Sequence, residues 1–155
     1  MDFEKDVLNT FGNDISRTEL NQLKMFYQIH KCFELARYHQ EKSNSEYDIY
    51  IRIRPDLNFS PIDSAEILNV FNKKSIGVYY AQVDGIDDKF AICSNAAMSA
   101  YSAIWTMFDS CKDLKILPTH KVFLAESLLL RIMFSFDIDI NLLSKSRYAG
   151  LANHK

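Results

Sequence analysis

Glycine and proline are scarce, at 4 and 3 of 155 residues. That scarcity excludes collagen-like repeats and low-complexity linkers. Neither GxGxxG nor GxxxxGK(S/T) occurs, so a nucleotide bound here is not held by either of those phosphate loops. Cysteine is equally limited. Cys32, Cys93 and Cys111 are widely spaced, odd in number and form no CxxC pair. A disulfide framework or a zinc site is therefore not expected, and a reducing cytoplasm fits. His30, His39, His120 and His154 show no metal-ligand spacing. Charge of one sign is lacking too. Lys and Arg total 18 and Asp and Glu total 20, a net charge of −2. No global basic field is available to attract nucleic acid. The opening MDFEKDVLNTF carries acids where a signal peptide needs bases, and has no apolar core segment. No window approaches the roughly 18 consecutive apolar residues of a membrane helix. The expectation is a cytoplasmic protein without a transmembrane segment.

Aromatic residues are plentiful, with Phe 11, Tyr 8 and Trp 1. They suit a packed core or a cleft that stacks on rings. The length predicts one domain over residues 1–155, large enough to bury a core without staples. Residues 1–15 read as a loose arm or short helix, and 149–155 as a frayed tail.

A long helix is predicted from Glu19 to Lys42, opened by Thr18. Leu20, Leu23, Phe26, Ile29, Phe33 and Ala36 recur at spacings of three and four. Met25, Cys32 and Leu35 widen the stripe and predict packing on more than one side. Tyr47 to Asp56 predicts a strand, with Tyr47, Ile49, Ile51 and Ile53 alternating with Asp48, Tyr50, Arg52 and Arg54. Pro55 ends the ladder. Further strands are expected at 75–83 and 90–93. Asn95 is expected to cap a helix over 96–108, and another helix is expected over 121–136. The stretch from Asp137 then alternates as an edge strand. Intermixed helices and strands give an α/β class.

Four groups can carry chemistry. Arg52 and Arg54 share one strand face, and two guanidinium forks suit a diphosphate. Asp56 follows the strand's C-terminal end, where ligands bind in open α/β sheets. The plain alternative is a solvated strand face. Asp87 and Asp88 are adjacent carboxylates suited to Mg²⁺ or Mn²⁺, or simply an acidic loop. Glu126 is a lone acid in an apolar helix, either exposed or buried as a general base. Asp137 and Asp139 form a D-x-D triplet, a pattern suited to a metal ion, or simply two acids that, alternating with Ile138 and Ile140, face water on an edge strand.

Tyr47-Asp48-Ile-Tyr-Ile-Arg52-Ile-Arg54-Pro55-Asp56-Leu57 and Asp88-Lys-Phe90-Ala91-Ile92 resemble a family of glycosyltransferase-like proteins of bacterial capsule and lipopolysaccharide gene clusters. That family carries a YD-x-x-x-R-x-R-x-D-L strand, an N-D-x-F-A-I-G strand, a helix with Met and Tyr, and an H-P-E segment. Met98 and Tyr101 match the helix, and Glu126 matches the acid of the last segment. The order agrees over about residues 21–140. Cys93 replaces the family's glycine, Ala125 its proline and Asp87 its asparagine. The family's opening I-x-G-x-x-R strand has no counterpart, so the domain is expected to be incomplete at its N-terminus.

The resemblance implies a GT-A-like (Rossmann-like) domain. It would transfer a sugar from a nucleotide-diphosphate donor to a surface-polysaccharide acceptor. Arg52, Arg54 and Asp56 would hold the donor, Asp56 and Asp88 a Mg²⁺ or Mn²⁺ ion, and Glu126 and Asp88 would be catalytic. Membrane association would be peripheral, through other pathway proteins. The alternative is a non-catalytic module of this fold that binds a glycan or a partner enzyme.

Overall fold

The structure, a computed structural model, describes residues 16–56, 58–59, 61–71, 73–110, 125–143 and 148–149. Helix α1 spans Arg17–Ser43. It starts two residues earlier than Glu19 because Ser16, not Thr18, caps it. Ser16 Oγ accepts from the Glu19 N–H at 3.2 Å, and the Glu19 carboxylate accepts from the Ser16 N–H at 2.7 Å. Two otherwise orphaned donors are satisfied reciprocally. Asn44 ends the helix in the left-handed region with φ 49°. Leu23, Phe26, Ile29 and Phe33 are buried along one stripe. Burying each such side chain contributes about 1.5–3 kcal/mol. Of the three residues expected to widen the stripe, Met25 packs against the core, whereas Leu35 is 68% exposed and Cys32 is exposed.

Strand β1 covers Ile49–Ile53, and a two-residue β2 covers Asn58–Phe59. Helix α2, Ser64–Val70, is capped by Asp63, whose carboxylate accepts from the Ala65 N–H at 2.9 Å. The run expected as one strand over 75–83 is broken. Strand β3 holds Ser75–Val78; β4 (Ala81–Gln82) then folds back on β5 (Gly85–Ile86) as a hairpin. Strand β6 is Phe90–Ser94 and leads directly into α3, Asn95–Ser110. The cap of α3 is Ser94 rather than Asn95, since its Oγ accepts from the Ala97 N–H at 3.2 Å. Helix α4 is Ala125–Ser135, with its expected start at 121–124 outside the described residues. Strand β7 is Asp139–Leu142, and β8, Tyr148–Ala149, pairs with β2. The remainder of the expected tail and residues 1–15 lie outside the described residues.

The main sheet has the order β1-β6-β3-β7. β6 is antiparallel to both neighbours, and β7 runs parallel to β3 at one edge. The chain is thus a mixed α/β structure with a mixed sheet. Ile76, Val78, Ala91 and Cys93 face a core built with α1, α3 and α4. Ile49, Phe90 and Ile92 face the other side, with Val70 and Ile67 of α2 and with Leu143. Three layers result, one of them only seven residues of helix long. Among the described residues no helix is long and apolar enough to cross a membrane.

Two glycines set the spacing between layers. A Cβ on Gly85 would stand 2.7 Å from the Glu126 Cβ and 3.0 Å from its backbone carbon. A Cβ on Gly77 would meet Leu143 Cδ2 at 2.9 Å and Val70 Cγ2 at 3.0 Å, both side-chain ends that can turn. Gly85→Ala is therefore expected to destabilise by about 1–3 kcal/mol, and more than Gly77→Ala, in urea unfolding. Equal costs would show that α4 shifts freely over the hairpin.

Candidate functional site

The site begins with an inversion in β1. Its isoleucines are the exposed face: Ile51 is 42% and Ile53 46% exposed. Tyr50, Arg52 and Arg54 turn instead toward α1. The sheet register accounts for this. Tyr50 lies opposite Cys93 and Arg52 opposite Ala91, and those partners sit in the core beneath the large helix layer. The short α2 covers Ile49 but does not bury Ile51 or Ile53. Ala91, being small, leaves space for the Arg52 guanidinium across the strand pair.

Between α1 and β1 lies a cleft of about 1060 Å³. Met25, Ile29 and Phe33 of α1 form an apolar wall, and Met98 of α3 and Asp88 also line it. Tyr50 is fixed by donating to Gln40 Oε1 at 2.8 Å and by an edge contact with Phe33 at 5.3 Å. Burial pushes the Tyr50 hydroxyl pKa up, opposed by its bond to Gln40.

The two arginines are not equivalent. Arg54 grips Asp56 with two bonds, Nε to Oδ1 at 3.0 Å and Nη2 to Oδ2 at 2.5 Å. Those bonds hold the Asp56 carboxyl below the ordinary carboxylate range and raise Arg54. Asp88 adds to the field that keeps Arg54 charged. The pair is about one-third exposed, so solvent screens it. It shapes the mouth of the cleft more than it holds the fold. In the Arg52 side chain, Nη1 is sealed from solvent without a partner among the described residues. Gln22 Oε1, on the α1 wall, is sealed and unpartnered in the same way. Each such group costs about 1–3 kcal/mol, and a charged one more. Beneath them, the Tyr101 hydroxyl of α3 is buried without a partner among the described residues. Burial raises its pKa, and Arg52 opposes that rise.

Arg52, Arg54, Asp56 and Asp88 are thus brought together on one cleft. Glu126 is not among the residues lining it. It stands half-buried in the first turn of α4, its Cβ against Gly85, and its charge bears on Tyr80. Burial first, then Glu126, Asp87, Asp88 and Asp84, push the Tyr80 hydroxyl up to about 12. The adjacent acids Asp87 and Asp88 part company. Asp87 is fully buried and accepts from the Lys89 N–H at 2.9 Å, while Asp88 reaches the cleft. Asp137 sits in a left-handed turn, its side chain almost fully exposed and 3.7 Å from Lys74 Nζ. Asp139 is exposed at the start of edge strand β7. Neither lines the cleft.

Of Asp56 and Asp88, the expected seat of a Mg²⁺ or Mn²⁺ ion, one carboxylate is already engaged. Both Asp56 oxygens already accept from Arg54. Among the described residues no group of three His, Cys, Asp or Glu side chains is placed to hold a metal. His30 is occupied elsewhere, bonded to Ser102 Oγ at 3.0 Å, and His39 is bonded to Tyr47 Oη at 2.6 Å.

Sequence reasoning did not single out Gln22 or Tyr50. Gln22 falls on a second stripe of α1, with Thr18, Met25, Ile29 and Ala36 at helical spacing. No motif marks it, but a polar residue on that stripe is a usable signal. No family model, curated protein or solved structure matches this chain.

Two measurements check this geometry. Tyr101→Phe removes a buried hydroxyl with no partner, so its unfolding free energy in urea is expected to rise by about 1 kcal/mol. A fall of that size would mean the hydroxyl is bonded in solution. Burial pushes the Cys93 thiol up to about 12, so it should resist iodoacetamide in the native protein while exposed Cys32 reacts. Peptide mapping that found Cys93 alkylated as fast as Cys32 would contradict the packed β6 face.

Proposed function

We propose that this chain is a glycosyltransferase-like domain with a GT-A-like arrangement that receives a nucleotide-diphosphate sugar in the α1–β1 cleft. The observation that carries the reading is Arg52, a guanidinium turned into a cleft with one nitrogen sealed and unpartnered. A diphosphate supplies the acceptors that Arg52 lacks. The apolar wall of Met25, Ile29 and Phe33 offers a surface for a base or the face of a sugar ring. The resemblance of the RIRPDL strand to polysaccharide-pathway transferases points the same way.

Transfer in this site breaks the bond from sugar C1 to the diphosphate oxygen and forms one from C1 to an acceptor hydroxyl. Arg52 stabilises the departing diphosphate charge. Asp88, the acid on the cleft that Arg54 does not grip, takes the acceptor proton. Arg54 and Asp56 act as a paired unit that shapes the entrance.

A second reading has a specific observation behind it. Glu126, one of the two acids that the resemblance makes catalytic, lies off the cleft. That favours a module of the same fold that binds a sugar nucleotide or glycan without transferring it. Turnover separates the two: release of nucleoside diphosphate in the presence of a glycan acceptor supports the enzyme, and binding without release supports the module.

Thermal unfolding with a panel of nucleotide-diphosphate sugars tests the shared premise. A ligand at 100 times its dissociation constant should add about 2.7 kcal/mol of stability. The shift is expected with at least one donor and should vanish in Arg52→Gln. No shift with any donor, on a chain that melts cooperatively, would overturn the proposal.

A further inference from the structure

We infer that the cleft reads its ligand at two points, an anionic group taken by Arg52 on β1 and a hydroxyl taken by Gln22 on α1. The inference rests on the function proposed above and narrows it. The ligand is then a phosphate ester of a hydroxylated ring, and Gln22 is a specificity residue. Gln22 belongs to none of the motifs that suggested the site.

Arg52 Nη1 and Gln22 Oε1 are both closed to solvent, both without a partner among the described residues, and both on the lining of one cleft. They come from different elements and have opposite hydrogen-bonding character. One donates and the other accepts, yet they do not bond to each other. Two other polar groups of the lining are already engaged. Arg54 is held by Asp56, and the Tyr50 hydroxyl by Gln40.

An occupant that satisfies both must offer acceptors to Arg52 and a donor to Gln22. Inorganic pyrophosphate near neutral pH offers acceptors far more readily than donors. A sugar or ribose hydroxyl both donates and accepts, so it satisfies the Gln22 amide in either orientation of its oxygen and nitrogen. A ring phosphate therefore answers both walls at once, and its carbon face can lie on Met25 and Ile29.

The test compares dissociation constants by calorimetry for inorganic pyrophosphate and for a panel of nucleotide-diphosphate sugars, using the full chain. The best panel member should bind more tightly than pyrophosphate. Gln22→Leu should weaken that member roughly fivefold, the worth of about one neutral hydrogen bond, and leave pyrophosphate unchanged. Arg52→Gln should weaken both. Gln22→Met, nearer in shape, repeats the arm should the leucine variant fail to fold. If Gln22→Leu and Gln22→Met leave the best member unchanged, or weaken pyrophosphate equally, the two-point inference falls while the Arg52 site stands. If the wild-type chain binds neither pyrophosphate nor any panel member, the proposed function falls and takes this inference with it.

Discussion

A cationic side chain turned beneath a helix layer is the demand around which this site is arranged. Strand β1 directs Tyr50, Arg52 and Arg54 under α1 and leaves Ile51 and Ile53 in water. Hydrophobicity alone favours the opposite choice by several kcal/mol. The β1–β6 register prevents it, because slipping by one residue would move every side chain of the strand to the other face. Ile49 would then leave its contacts with the α2 side, and Tyr50 would lose both Phe33 and Gln40. The strand keeps its aromatic anchor, and Arg52 is carried inward with it.

Within that constraint the two arginines divide the work. Arg54 sits where the strand has ended, and Pro55 bends the chain so that Asp56 can return and close a two-bond pair with it. Arg52, two residues earlier, is still inside the ladder and cannot reach Asp56 in the same way. One guanidinium is internally matched and about one-third exposed, while the other keeps a nitrogen closed to solvent and without a partner among the described residues. Asp88 stands nearby on the segment leading into β6, linking this wall to the acidic surroundings of Tyr80 and Glu126.

The periodic elements were legible in the sequence. The three-and-four spacing of Leu23, Phe26, Ile29 and Phe33 located α1, and alternation located β1. The ends were less so, because Ser16 and Ser94 are caps whose partners lie three residues on. A period of two separates the faces of a strand without saying which one a short helix will fail to cover, so the inward turn of Arg52 was not readable. Adjacent acids look like one site in a sequence, yet Asp87 and Asp88 end in different surroundings, because the chain bends at Asp88 and Lys89 and the buried Asp87 turns back onto the Lys89 N–H. Glu126 resembled a motif acid, but its place depends on how α4 docks on Gly85, which no local pattern encodes. Gln22 carried one signal in the sequence, a polar residue on the cleft stripe of α1, and its role became readable once β1 stood across the cleft.

The strand order carries a kinetic consequence. In β1-β6-β3-β7 no two hydrogen-bonded neighbours are consecutive in the chain. β1 at Ile49–Ile53 waits for Phe90–Ser94, and β3 waits for a partner that ends only at Leu142. The β1–β6 and β3–β7 ladders therefore close long loops before they are rewarded, which slows folding relative to a helical bundle of this size. During synthesis the 27 residues of α1 can form early, but β1 must wait for β6, which ends at Ser94, and the parallel β3–β7 pair must wait for Leu142. Until β6 emerges the IYIRI strand has open edges on both sides. The arginines that later line the cleft then serve as charged guards against premature pairing.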